Sequence, residues 1–426
     1  MTEQMNVPTL RFSEFDGLWS QNKTPIKILA GNAYKQQEYT DNGYLLIQGL
    51  HIQPDKIELE ESPKYVAVDG SKHLKIGFGD IVLGLNRPIT NNQLKACRFY
   101  LKEESVLYQR AGKLKFDTAK LGTEFLYQYL RTPVFMKQLD LELIGSDQPY
   151  IKSDLFQATK NIFPTIVEQQ KIASFLSKVD EKIALLTEKK DKLTEYKKGV
   201  MQQLFNGKWE EQDGQLIFIP PTLRFKADDG SEFPDWIEKR LGKVFTRIRR
   251  KNKENNQNVL TISAQQGLIN QEKYFNKSVS AKDVTGYYLL ENGDFAYNKS
   301  YSKGYPMGAI KRLNNYDKGV VSTLYICFGL NQDQGFVSDF FEHYFESGLQ
   351  NRDLSKIAQE GARNHGLLNI SVDEFFKDVK LLTPSHDEQI KIANFISAIN
   401  QKIDLTNSEL EKAKEWKKGL LQQMFV

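Results

Sequence analysis

Apolar residues recur every seventh position in two stretches of the chain. In the first, Ile172, Val179, Leu186, Leu193 and Val200 set the repeat, with Leu176, Ile183 and Leu204 on the interleaved heptad position. In the second, Ile392, Ile399, Ala413 and Leu420 repeat it alongside Ile396, Ile403, Leu410 and Met424. This period predicts two long helices, each with a coiled-coil seam. Lys190, Lys197, Thr406 and Lys417 interrupt the seams, which favours specific over strong pairing. At ~1.5 Å per residue each helix would span about 55 to 60 Å. Gly199 and Gly419 stand near the ends, where the final turn could fold separately from the rod. The rest reads as mixed structure. Short β-rich runs such as Tyr44-Leu45-Leu46-Ile47 and the segment from Val320 to Ile326 are separated by turn signals such as Asp41-Asn42-Gly43 and Glu291-Asn292-Gly293-Asp294.

The two helical stretches are copies of one another. Residues 164–205 align without gaps to residues 384–425, with 19 of 42 positions identical. Pro8-Thr9-Leu10-Arg11-Phe12 recurs as Pro221-Thr222-Leu223-Arg224-Phe225, leading to Trp19 and Trp236, and Gly79-Asp80 recurs as Gly293-Asp294. The chain is therefore a tandem duplication. Its expected organisation is a globular half at 1–163, a helix at 164–205, a connector at 206–220, a second globular half at 221–383 and a second helix at 384–426. The fold class is α+β, and two similar helices in one chain can pair antiparallel, which would set the halves at opposite ends of a rod.

Composition narrows the classes. The chain is 40% hydrophobic and 26% charged, as in soluble globular proteins. It has no membrane-length apolar run and no signal peptide at its start, so a cytoplasmic protein is expected. Two cysteines and five scattered histidines give neither a disulfide framework nor zinc-site spacing. There is no phosphate-binding loop ending in Gly-Lys-Ser/Thr and no Asn/Asp-Pro-Pro-aromatic segment of the amino-methyltransferase kind. Pro234-Asp235-Trp236-Ile237-Glu238-Lys239 lacks the residue that a nuclease pattern places between Glu and Lys, and it falls in the repeat framework. No catalytic residue and no metal ligand is assigned.

A net charge of +4 is too small for whole-chain attraction to nucleic acid, so any such surface must be local. The segment 243–253 carries six positive charges and no acid; Arg247, Arg249, Arg250, Lys251 and Lys253 are candidates for neutralising phosphates or contacting guanine. After Gly293-Asp294 come Lys299, Tyr301, Lys303, Lys311 and Arg312. After Gly79-Asp80 come Arg87, Asn91, Asn92, Lys95 and Arg98, again without an acid through Lys102. Arg110 with Lys113, and Arg363 with Asn364, are further candidates. Framework that repeats while polar side chains differ suits two readers of different base sequences, because phosphate contacts position and base contacts specify.

The two Pro-x-x-x-Glu-Gln-x-Lys-Ile-Ala openings, the Lys-Lys-Gly closings at Lys197 and Lys417, and the Pro-Thr-Leu-Arg-Phe starts make the whole chain resemble the specificity subunits of type I restriction-modification systems. That resemblance implies two target recognition domains alternating with two helical regions in an antiparallel coiled coil. It also implies a double-stranded DNA target in two parts, and recruitment of two methyltransferase and two restriction subunits. S-adenosylmethionine, ATP and Mg would act in those partners and not in this chain, and no membrane is involved. Two other readings stay open: a coiled-coil scaffold, and a fused restriction or methylation enzyme whose site has no recognisable motif.

Overall fold

The computed structural model describes residues 6–426 apart from 68–72, 214, 222, 278–279, 281–282, 332–334 and 364–366. The chain forms two units: residues 1–188 together with 407–426, and residues 189–406. The first is discontinuous because the end of the second long helix belongs to it.

Both units are built on one four-stranded antiparallel sheet of the same connectivity. In the first unit the order is Ala96–Arg98, Ile81–Gly84, Ala111–Lys115, Lys27–Ala30. In the second it is Ala309–Arg312, Phe295–Asn298, Ile326–Leu330, Phe245–Arg247. The Gly-Asp repeat opens the same strand of each. Gly79 and Gly293 take φ +85 and +93, a region that costs a glycine little. The following carboxylate accepts the backbone N–H three residues back, Gly77 to Asp80 at 2.9 Å and Glu291 to Asp294 at 2.8 Å.

The first unit adds a five-stranded mixed sheet in which Tyr44–Ile47 runs parallel to Ser105–Leu107. The second adds the hairpin Leu260–Ser263 with Gly267–Asn270 and the pair Tyr288–Glu291 with Lys318–Val321. The expected strand from Val320 to Ile326 is broken: Tyr325 N–H returns to the Ser322 carbonyl at 3.1 Å, so a turn at 322–325 separates two strands. Cys97 and Cys327 are buried free thiols, and desolvation pushes both up to about 12.

The long helices span Ile166–Phe205 and His386–Gln423. Neither breaks at its glycine. Gly199 and Gly419 have open space around them, while the last turns bury Leu204, Phe205, Leu420 and Leu421, and that burial holds them helical. Within the first unit the helices run antiparallel, with Asp180 paired to Lys417 and Phe175 edge-on to Trp416 at 6.0 Å between centroids. Ile172, Leu176 and Val179 share a core with Leu420 and Met424. Within the second unit Val200 and Leu204 share a core with Ile392, Ile396 and Ile399, and Ile403 packs against it. Leu410 is buried, and Ile183, Leu186 and Leu193 are half-buried. Of the residues that interrupt the apolar pattern, Thr406 is buried and returns its hydroxyl to Lys402 O at 2.8 Å. Lys417 is also buried, with Asp180 as its counter-ion.

The connector is a hairpin, Lys208–Gln212 against Gln215–Ile219. Phe218 stacks over Trp236 at 6.1 Å between centroids, which draws the linker onto the second unit's core. Among the described residues, no helix is long and apolar enough to cross a membrane and no cluster of side chains could hold a metal ion.

Candidate nucleic-acid interface

The repeated sequence motifs form the framework. Arg11 donates from Nε and Nη2 to the two oxygens of Glu168 at 2.7 and 2.8 Å, and Trp19 Nε1 donates to the same carboxylate at 3.2 Å. In the second unit Arg224 does the same to Glu388 at 2.9 and 2.7 Å, with Trp236 Nε1 at 3.2 Å. The next residue is a second fastening. Gln169 donates to Pro164 O and accepts from Gly122 N, and Gln389 donates to Pro384 O and accepts from Val337 N, all at 2.9–3.0 Å. The Pro-Thr-Leu-Arg-Phe strap, the tryptophan and the Glu-Gln pair thus bolt each long helix to its globular part.

On the first unit's four-stranded sheet, the sequence candidates divide between opposite ends. At the Ile81 end, Arg98 bonds to Gly79 O at 2.7 Å and to Glu124, and Lys113 pairs with Asp80 at 2.9 Å. Both are committed to internal partners. At the Gly84 end, Leu85 N donates to Arg110 O at 3.0 Å, Gly84 N to Lys95 O at 2.8 Å and Arg87 N to Pro149 O at 2.7 Å. A side chain at Gly49 would lie 2.5 Å from Arg110 O, so that loop too is pressed against the same place. His51 holds it: buried, its Nδ1 accepts from Gln48 N at 3.2 Å, and burial lowers its pKa. This edge carries Arg87, Asn91, Asn92 and Arg110 exposed and Lys95 half-buried, none ion-paired among the described residues. Arg87 sits at φ 44, uncommon for a long side chain and found more often at functional sites.

The second unit builds the same edge with other side chains. The connector 299–308 replaces 85–95, and Leu368 N donates to Lys299 O at 3.0 Å just as Ile151 N donates to Leu85 O at 2.9 Å. Ser302 and Tyr305 close a turn with Gly304 at φ +86, leaving Tyr301 66% exposed and Lys303 exposed. Lys299 Nζ reaches Ile370 O at 3.5 Å. Lys311 and Arg312 are internal. Lys311 pairs with Glu346 at 2.5 Å and meets Tyr305 Oη at 3.0 Å, and Arg312 pairs with Asp339 and Glu342. The basic run also divides. Arg250 pairs with Glu291 and Asp294 at 3.2 and 2.9 Å, and Lys251 donates to Gly286 O at 2.7 Å over the Tyr288 ring. Arg249 and Lys253 are exposed and Arg247 half-buried. The side chain of Arg363, and Asn364 entirely, lie outside the described residues.

Residues 27–195 match the family described as the type I restriction modification DNA specificity domain. Over these residues the chain is similar to that family's domain. The match covers the first unit's four-stranded sheet and most of the first long helix. A curated relative, the type I restriction enzyme MjaVIII specificity subunit of Methanocaldococcus jannaschii, is 32% identical over 190 residues, spanning 44% of this chain and 44% of that one. The alignment thus spans less than half the length of that relative. The crystal structure of the S subunit of a type I restriction-modification system from M. genitalium shares the fold over 99% of both chains, with a TM-score of 0.55 at 15% identity. The HsdS subunit from Thermoanaerobacter tengcongensis aligns over 94% of both chains with a TM-score of 0.41 at 14% identity.

The edges of the two four-stranded sheets also carry residues that sequence reasoning passed over. Gln48 and Leu50 in the loop held by His51, Gln148 and Tyr150 beside Arg87, and Leu324 in the 322–325 turn are exposed or half-buried there. None sits in a basic run. Their only sequence signal is that each lies in a turn next to a strand end.

Proposed function

We propose that this chain is the specificity subunit of a type I restriction-modification complex, non-catalytic in itself, in which each unit reads one half of a two-part double-stranded DNA target. The observation that carries this reading is the repeated edge: the connector that follows the equivalent strand presents Arg87, Asn91, Asn92 and Lys95, with Arg110 bonded to its start, in one unit and Lys299, Tyr301 and Lys303 in the other. Cations at such an edge neutralise phosphates, while amides, hydroxyls and guanidinium groups read base edges. The family match and the MjaVIII relative support it.

In this reading the globular halves 1–163 and 221–383 choose sequence, and the helices 164–205 and 384–426 set the spacing between half-sites. The chain recruits two methyltransferase and two restriction subunits, and S-adenosylmethionine, ATP and Mg act in those partners. The complex works in the cytoplasm.

The test is methylome mapping in a host that expresses the chain with its cognate methyltransferase subunit. A two-part motif is expected, and replacing residues 6–163 with another recognition domain should change one half only. If both halves change, the units do not read independently. If the purified chain alone methylates or cuts DNA, it is an enzyme. If it confers no sequence-specific protection with its partner, it is a scaffold.

A further inference from the structure

The connector between Ile81–Gly84 and Ala96–Arg98 is itself a hairpin, Ile89–Thr90 against Gln93–Leu94, closed by only Asn91 and Asn92. Both take left-handed φ, 49 and 59, which is the type I′ turn that matches strand twist and that asparagine and glycine tolerate best. Turn chemistry alone could explain two asparagines there. Of the other polar residues at left-handed positions, Asp213 and Asn276 have no side-chain hydrogen bond to another described residue, whereas two use their side chains locally. Asn255, at φ 54, accepts from Gln257 Nε2 at 2.7 Å, and Asp55, at φ 68, pairs with Arg131 at 2.7 Å. Asn91 and Asn92 are exposed and have no side-chain hydrogen bond to another described residue. Two uncommitted amides therefore stand at the tip of a narrow two-stranded ribbon, a shape that the major groove admits.

The surroundings fit a reading role. Arg87 and Lys95 flank the hairpin in sequence, and Arg110 is tied to the start of the connector through Leu85, so cations suited to phosphate stand at the base of the hairpin. From Leu85 to Lys102 there is no acid. A carboxamide offers a donor and an acceptor together, the pair that matches adenine N7 and N6; guanine presents only acceptors and cytosine only a donor on that edge. The second unit places a chemically different tip, Tyr301 to Gly304, on the equivalent connector.

We propose that the Asn91–Asn92 tip is the specificity-determining element of the first unit and that it reads an adenine in that unit's half-site through its carboxamides. The inference rests on the DNA-reading function proposed above.

Glycine keeps this turn while deleting the amides and adding no charge, so the double variant Asn91→Gly with Asn92→Gly separates reading from folding. The chain, wild type or variant, is expressed with its methyltransferase partner and the host's genomic DNA is the probe. An unchanged melting temperature is expected. One adenine-specific position in one half of the motif should become degenerate, with selectivity there falling about ten- to a hundredfold, while the other half is untouched. The single variants N91G and N92G divide that loss between the two amides. An unchanged motif overturns the inference and leaves the tip a simple turn. A uniform loss of methylation at every site also overturns it, since the tip would then position the protein rather than read. Failure of the wild-type chain to impose any two-part motif is a different result, and it sinks the proposed function itself.

Discussion

Two buried carboxylates show how a short motif becomes architecture. Glu168 and Glu388 have side chains 2% and 0% exposed, and a lone buried charge is costly. Each is satisfied by a bidentate arginine and an indole N–H, a planar match that lysine could not make. Arg11→Ala should therefore cost about 3–5 kcal/mol, mostly from the stranded carboxylate, and Arg224→Ala a similar amount; chemical denaturation would measure both. A loss below ~1 kcal/mol would mean that water replaces the arginine. A second residue-scale expectation concerns His343, buried 3.4 Å from Ser397 Oγ, with Lys197, Arg312, Asp339 and Glu346 as its charged neighbours. Burial lowers its pKa from 6.5 to about 4. Below about pH 6.5 the unfolded chain takes a proton that the folded one refuses, so stability falls with pH until the loss levels off near 4, at about 3 kcal/mol. His343→Leu should remove that part of the slope in urea titrations run between pH 4 and 7.

At the scale of elements, the long helices were the most legible part of the chain. Their heptads name the residues that meet, because a coiled-coil seam is a local pattern repeated many times. The Asp180–Lys417 pairing fixes the antiparallel register within the first unit, and the heptads of 184–197 and 400–413 continue the two helices from it in sequence. Removing seven residues from both segments together should shorten the recognised spacer while preserving both half-sites, and methylome mapping would show it. A constant spacer would exclude the helices as the determinant of spacing. The β framework was less legible. Its strands are two to five residues long, and partners such as Gly84 and Ala111 are joined by long-range pairing that leaves no local period. The candidate interface was half legible for the same reason. Basic runs located the cations, but Arg98, Lys113, Arg250, Lys311 and Arg312 turn out to be paired with acids distant in sequence. Charge density does not reveal which cations face inward. Neutralising Arg249 and Lys253 should therefore weaken DNA binding with little change in melting, and flatten its salt dependence by roughly one log unit of slope per lost phosphate contact. Lys311→Ala should instead lower the melting temperature.

At the scale of the molecule, one unit is contiguous and the other is not. Residues 189–406 contain everything the second unit packs, whereas the first buries Leu420, Met424 and Phe425 against Trp19, Phe125 and Tyr129. Phe425→Ala should cost the first unit about 3–5 kcal/mol, visible as faster hydrogen exchange around Phe125 with the second unit unchanged. The same geometry sets a schedule for synthesis. Domains made on the ribosome ordinarily finish in chain order, N-terminal first. Here the half translated first is completed last, because its core waits for the final residues to emerge, while the half translated second can close as soon as Thr406 is free. A chain lacking residues 407–426 would thus carry one finished unit and one open aromatic pocket.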